Sequence, residues 1–484
     1  MAKSITRKAA NSLTIVESIL NLISLPLGLV SFGMSFVLLP VVKELPTEQV
    51  AEEGAKLAYE GSGMGVYADK YGKAGKVRGI LWDMKGAKTC GIIKEDPIRG
   101  ITTYAKPMGV VANVCPCTNP CITAAFIGLT LLKTRNAMIC SPHPRTKLAT
   151  VNAVNWGRKA LKAIGAPEDL FQVIAEPSNE KTVELMQKCD FAVATGGKAL
   201  IKVVHLAGTP SVTVGAGNVR AIVDPSADLK HAAQCIAASK CYDNATSCSS
   251  ENAVSIHVSI YDKMMEELKK VGGYLLDDAS REKLRAAMWP DGHTLNRDIV
   301  AKPVQTIAKI AGISVPEGTK FIMVKGQKIG PEDMFSNEKL SLVLTVWTWE
   351  DFETEIHDLK KNLYFSGVGH SCALHSTKPE QWYRLAEFIP TGRVNINMPN
   401  TVVNSGSWFA GQEFTTTIGC GTWTGNSHSD NINFRHFINT TRLAVPRAWY
   451  VATDDEVFGK YLAKAKKLIG DDRVDMPHKP AYLD

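Results

Sequence analysis

From residue 102 onward the chain alternates short apolar strands with helices of ten or more residues. That alternation leaves few folds open to it. Residues 102–114 read as an apolar strand, 115–120 as a Pro- and Asn-rich turn, and 122–132 as a helix. A strand over 137–140, the turn SPHPR and a helix over 150–164 ending at Gly165 come next. Then follow a buried strand over 190–194, a helix opened by Thr195-Gly196-Gly197, and a strand over 211–214 running into VGAGN. Such alternation indicates βαβ units on a parallel sheet. A second set begins near Ala253 (AVSIHV) and continues at 342–347 and 393–397, which indicates a second α/β domain. Upstream, 49–59 and 69–75 read as solvated helices. A chain of 484 residues is too long for one core. No repeat or low-complexity linker separates its parts.

The N-terminus reads differently. Residues 18–42 carry no charge and are long enough to span a bilayer, with Lys3, Arg7 and Lys8 ahead of them. Those positive residues would hold the N-terminus inside and send the rest of the chain out. Pro26, Gly28, Gly33 and Pro40 also interrupt the run. The expectation is a peripheral segment docked on the protein, a shell, a membrane or a partner subunit, with anchoring as the alternative. The net charge of +7 suits an anionic ligand such as a dinucleotide, and no aromatic–basic pattern points to nucleic acid. Eleven cysteines, an odd number, fit a reducing cytoplasm rather than a disulfide scaffold. Cys115, Cys117 and Cys121 have C-x-C-x3-C spacing, which is not a zinc pattern, so no metal is expected.

Among those cysteines Cys248 stands out. It lies in YDNATSCSSENAV (242–254), small and polar, between apolar runs. A thiol on such a loop has little steric cover, and its thioester stays reactive enough to be passed on. VGAGN has G-x-G but lacks the third glycine of a dinucleotide fingerprint.

Together the stretches GVVANVCPCTNPCITA, LKTRNAMICSPHPR, FAVATGG, VTVGAGN, DNATSCSSENAV, EKLSLVL, GVGHSCALHS and TIGCGTWTGNS, spread over about 90–439, resemble the aldehyde dehydrogenase superfamily. They are most similar to its CoA-acylating branch, including the aldehyde half of bifunctional aldehyde–alcohol dehydrogenases. The resemblance implies an α/β fold with two Rossmann-type domains and an oligomerisation β-extension. It divides the chain into an atypical apolar segment (1–45), a dinucleotide-binding domain (46–240), a catalytic domain (241–425) and a C-terminal segment with the extension (426–484). It makes Cys248 the nucleophile and Asn119 the side-chain oxyanion donor. It places Ser141, His143 and Arg145 near the adenosine ribose, Thr195, Gly196 and Gly197 near the pyrophosphate or nicotinamide half, and Glu338 near the nicotinamide ribose. Leu342 stands where the family usually has proline. His370 is expected to line the pocket rather than act as a base, with Trp408 and Phe409 lining the acyl pocket.

Hydrolytic members carry a water-activating Glu in E-L-G-G-K, whereas Val214–Asn218 offers no carboxylate. Water needs that base more than a thiol does. The expected reaction is therefore oxidation of a short aldehyde to its acyl-CoA with NAD or NADP, coenzyme A being co-substrate. Acetaldehyde and sulfoacetaldehyde are the candidate substrates, Arg393 and His428 the candidate sulfonate ligands. The alternatives are hydrolysis with a base such as Glu251, or a docked scaffold protein. A cytoplasmic homo-oligomer, dimer or tetramer, is implied.

Overall fold

This computed structural model describes residues 48–448 and 452–469, so the apolar segment 18–42 lies outside the described residues. The chain divides into two compact units, Met1–Thr89 with Lys106–Asn439 and Cys90–Ala105 with Thr440–Asp484.

The larger unit opens with helices α1 (Glu48–Ser62), α2 (Tyr67–Lys73) and α3 (Lys76–Asp83). The apolar run over 102–114 is two strands, β2 (Ile101–Pro107) and β3 (Val110–Val114), after β1 (Gly91–Asp96). Pro107 ends β2 and Gly109, at φ 122°, turns the chain. Strands β4 (Ala137–Ser141), β5 (Phe171–Val173), β6 (Phe191–Thr195) and β7 (Ser211–Val214) join β3 in a five-stranded parallel sheet of order β5-β4-β3-β6-β7. Along β3, Val111 enters one core with Phe126, Ile127 and Met138, while Ala112 and Val114 enter another with Met186 and Val204. Helices therefore cover both faces, as a parallel sheet requires. Helix α4 (Pro120–Lys133) follows β3 and is buried almost all round, which explains its unbroken apolar sequence. Helices α5 (Lys147–Ala163), α6 (Asn179–Lys188) and α7 (Lys198–Leu206) complete the crossovers.

The second sheet has seven parallel strands: β8 (Val219–Val223), β9 (Glu251–His257), β10 (Gly273–Leu275), β11 (Phe321–Lys325), β12 (Val343–Trp349), β13 (Cys372–His375) and β14 (Val394–Ile396). Their order is β10-β11-β12-β9-β8-β13-β14. Its core is built on Phe321–Val324 and Val343–Leu344 against Trp289 and Phe335. Both sheets are of the doubly wound kind expected from sequence.

The smaller unit is built on a sheet of order β1-β2-β15, with β15 (Ile438–Ala444) exposed along most of its length. Among the described residues no helix is long and apolar enough to cross a membrane.

Candidate active site

Four loops meet at one edge of the seven-stranded sheet. Gly217 lies just before β8, Cys248 before β9, Glu338 before β12 and His370 before β13. Strands β12, β9, β8 and β13 are adjacent and parallel, so these loops all emerge at the amino ends of neighbouring strands.

Cys248 Sγ stands 3.0 Å from His370 Nε2. His370 Nδ1 lies 2.9 Å from Ser371 Oγ, which also accepts from Asn400 Nδ2 at 3.2 Å. With Nδ1–H donating to Ser371, Nε2 turns a lone pair toward the thiol. Burial, then the charge of Glu338, pushes the Cys248 thiol up to about 12. Burial, then Arg393, pushes His370 down to about 3. The resting pair is therefore a neutral thiol and a neutral imidazole. The sequence reading kept His370 in the pocket wall; the structure sets its ring against the nucleophile.

The backbone around this pair is crowded. A Cβ on Gly217 would lie 2.0 Å from the Cys248 carbonyl oxygen and 3.1 Å from His370 Cδ2, so only glycine fits. Gly217 N–H donates to Glu338 Oε1 at 2.9 Å, which ties that carboxylate to the nucleophile loop.

Three consecutive non-glycine residues before Cys248 adopt left-handed backbone: Asp243 (φ 51°), Asn244 (φ 51°) and Ala245 (φ 59°). Each costs on the order of 1 kcal/mol, so the turn needs external hold. The junction of α1 and α2 supplies it. Asp243 Oδ1 accepts from Val66 N–H at 2.7 Å, and Oδ2 from Lys73 Nζ at 2.5 Å, Thr246 Oγ1 at 2.6 Å and Lys70 Nζ at 3.2 Å. Burial alone would raise the Asp243 pKa, but Lys73 and Lys70 hold it below the usual range. The helix read as solvated thus carries two buried lysines, at 7% and 8% exposure.

Lys73 reaches further. Its Nζ donates to Asn119 Oδ1 at 2.9 Å. Asn119 is the N-cap of α4, with Pro120 in the first turn, yet its side chain makes no capping bond. Lysine has only donors, so this contact fixes the amide with Oδ1 on Lys73 and Nδ2 free to donate. Asn119 follows β3, and Thr195 ends β6 ahead of Gly196-Gly197, so both lie at carboxyl ends where the strand order of the first sheet reverses. That position is the usual ligand crevice of such sheets.

Gly197 caps α7, and a Cβ there would meet nothing within 4 Å, which leaves open space at a helix N-terminus suited to phosphate. A cavity of about 450 Å³ lies nearby, lined by Ile201, His205, Gly215, Ala216, Val368 and Thr424 among others. It borders both α7 and the Gly217 and His370 loops. These features fit a dinucleotide or another phosphate-bearing ligand. Ser141 Oγ bonds Thr182 Oγ1 at 2.7 Å, His143 Nδ1 caps Arg145 N–H at 3.2 Å, and Arg145 Nη2 donates to Ser62 O at 2.6 Å. Trp408 and Phe409 are both 64% exposed, and Trp408 packs against Trp82 and Phe414.

Glu251 is fully buried, with Oε1 accepting from Asn400 N–H at 3.3 Å, and burial pushes its pKa up to about 7. Ligand atoms of His428, Asp430 and His436 lie within 4.8 Å of one another. His436 Nδ1 accepts from Asn433 N–H at 3.0 Å, so Nε2 carries the proton facing Asp430 and offers no lone pair to a metal. Sequence reasoning missed Lys73, Asp243 and Gly217. The first two had a signal in the charged pair Asp69-Lys70 and in Asp243 beside small residues, but neither marks burial.

A cysteine thiol against a histidine, on a doubly wound sheet beside a dinucleotide-type crevice, suits an enzyme of thioester chemistry. The aldehyde dehydrogenase family model matches residues 81–276. A sulfoacetaldehyde dehydrogenase of an Acholeplasma species is 42% identical over 417 residues, 85% of this chain and 86% of that protein. A sulfoacetaldehyde dehydrogenase (acylating) from Bilophila wadsworthia is 43% identical over 85% of this chain and 90% of its own. The crystal structure of an acetylating aldehyde dehydrogenase from Geobacillus thermoglucosidasius superposes with a TM-score of 0.86 at 30% identity, over 92% of this chain and 98% of that one. The chain belongs to the aldehyde dehydrogenase family. Within it the chain stands in the CoA-acylating branch.

Proposed function

We propose that this protein oxidises a short aldehyde, acetaldehyde or sulfoacetaldehyde, to its acyl-CoA with NAD or NADP. Cys248 Sγ adds to the aldehyde carbon while His370 Nε2 takes the thiol proton. The carbonyl oxygen becomes an oxyanion that accepts from Asn119 Nδ2 and the Cys248 backbone N–H, each donor contributing about 3–4 kcal/mol in such sites. A bound nicotinamide would supply the hydride acceptor for the resulting thiohemiacetal, whose oxidation would leave an acyl group on Cys248. His370 releases that first proton to solvent; the thiol of coenzyme A then attacks the thioester as His370 takes its proton, and Cys248 leaves as thiolate and recovers the proton from His370.

The carrying observation is the 3.0 Å contact of Cys248 Sγ with His370 Nε2. Val214–Asn218 has no carboxylate, Glu251 Oε1 accepts from Asn400 N–H, and Glu338 Oε1 from Gly217 N–H, which favours a thiol over water as the acyl acceptor. Thr195, Gly196 and Gly197 hold the phosphates and Glu338 lies on the nicotinamide side, with Ser141, His143 and Arg145 toward the adenosine. The exposed β15 supports assembly into a cytoplasmic dimer or tetramer by strand pairing.

The test is NAD(P)H formation from acetaldehyde and from sulfoacetaldehyde, with and without CoA, beside Cys248→Ala. Turnover that requires CoA and vanishes in the variant is expected. Equal turnover without CoA overturns the acyl-transfer reading in favour of hydrolysis.

A further inference from the structure

We infer that Lys76 anchors an anionic group on the aldehyde, so that the enzyme's preferred substrates are short aldehydes carrying a sulfonate or carboxylate one carbon from the carbonyl. The inference rests on the acylating reading above and names the substrate class of that same site.

Lys76 opens α3, half-buried, and its Nζ donates to Ser405 Oγ at 2.5 Å. Lys70 and Lys73 share the Asp243 carboxylate; Lys76 makes no ion pair with any described residue. Two contacts link Lys76 to the neighbourhood of Cys248. On one side Lys73, close enough to repel it, donates to Asn119 Oδ1 and to Thr246 Oγ1, two residues before Cys248. On the other side Ser405 follows Asn404, whose Nδ2 donates to Ser249 Oγ, one residue after Cys248. Through Lys73 and Ser405 the Lys76 ammonium is thus linked to the residues on either side of Cys248. Burial, then the Lys73 charge, brings its pKa down to about 8.

A half-buried ammonium facing a hydroxyl and a second ammonium lacks its counter-charge. A small anion entering with the substrate supplies one, with three sulfonate oxygens available to Lys76 Nζ and Ser405 Oγ. The two ligands suggested by sequence are otherwise engaged. Arg393 Nε donates to Asn431 Oδ1, Nη1 to the His370 and Gly419 carbonyls and Nη2 to the Ser429 carbonyl. The His428 ring packs edge-on against His436 with centroids 4.5 Å apart. Arg393 therefore braces the His370 loop, and Lys76 is the cation assigned to the substrate.

The experiment compares kcat/KM for sulfoacetaldehyde, its carboxylate analogue 3-oxopropanoate, and neutral propionaldehyde, all with CoA. Enzymes are wild type, Lys76→Met and Lys76→Arg. Wild type is expected to prefer the anionic aldehydes. Lys76→Met should lose about 100-fold on these while propionaldehyde stays within about threefold, and Lys76→Arg should keep the preference. The ratio of the two anionic substrates tells sulfonate from carboxylate. A wild type that prefers propionaldehyde, or an equal change for all three aldehydes in Lys76→Met, overturns the inference. If Lys76→Met does not fold, inhibition of wild type by ethanesulfonate decides: competition with the aldehyde supports the anchor, and no inhibition overturns it. CoA-dependent turnover of propionaldehyde tests the acylating reading separately, so the two failures are distinguishable.

Discussion

Gly217→Ala is the sharpest test of the site geometry. The added methyl would sit 2.0 Å from the Cys248 carbonyl oxygen, 2.8 Å from its carbonyl carbon and 3.1 Å from His370 Cδ2. A carbon meets a carbonyl oxygen at about 3.3 Å or more, so the two segments must part by about 1 Å. Neither yields cheaply, because the obstacle is backbone and the Cys248 loop is clamped by Asp243. Gly217 does not have positive φ, so alanine meets no torsional penalty there and the effect is steric alone. Overpacking of this kind costs about 1–3 kcal/mol in stability, while a displacement of about 1 Å at reacting atoms costs about 100-fold in rate. The expected outcome is a folded enzyme whose kcat for CoA-dependent NAD(P)H formation falls about 100-fold. Urea denaturation should show only the modest stability loss. Gly411→Ala is the control, since a Cβ there meets nothing within 4 Å. Retention of more than half the activity in Gly217→Ala, or an equal loss in Gly411→Ala, would refute the reasoning.

Three further outcomes follow from the same geometry. Asp243→Asn removes the charge shared by two buried lysines and should lower stability by about 3–5 kcal/mol in urea unfolding; a loss under about 1 kcal/mol would mean that the ion cluster does not hold the turn. Lys73→Met should lower kcat through Asn119, so in a double-mutant cycle the loss largely disappears in an Asn119→Ala background; full additivity would sever the link. With the Cys248 thiol held up to about 12, its alkylation by iodoacetamide in the unliganded enzyme should keep rising through pH 9, since the thiolate fraction still grows there; a plateau at neutral pH would show a preformed thiolate–imidazolium pair.

Much of the fold was legible because its signals are local. The apolar runs at β3, β4, β6 and β7, each set off by a Gly- or Pro-containing turn, and those at β9 and β12, set off by polar segments, fix βαβ units whatever the strands later pair with. The loop that carries Cys248 was also legible, since a short polar stretch between apolar runs is readable without a partner. The run at 102–114 was misjudged because one turn at Gly109, not a change of hydrophobicity, divides it.

What the sequence could not supply is adjacency. The order β12-β9-β8-β13 is not sequential, and it alone brings Glu338, Cys248, Gly217 and His370, from segments over 150 residues apart in all, to one sheet edge. Charge was misread for the same reason. Lys70, Lys73 and Lys76 follow a solvated-helix pattern, yet packing of α2 against the 243–246 turn buries the first two beside Asp243 and leaves the third without a counter-charge. Local pattern determines which segments form strands and helices. Which side chains share a low-dielectric site depends on long-range packing, and only the tertiary structure decides it.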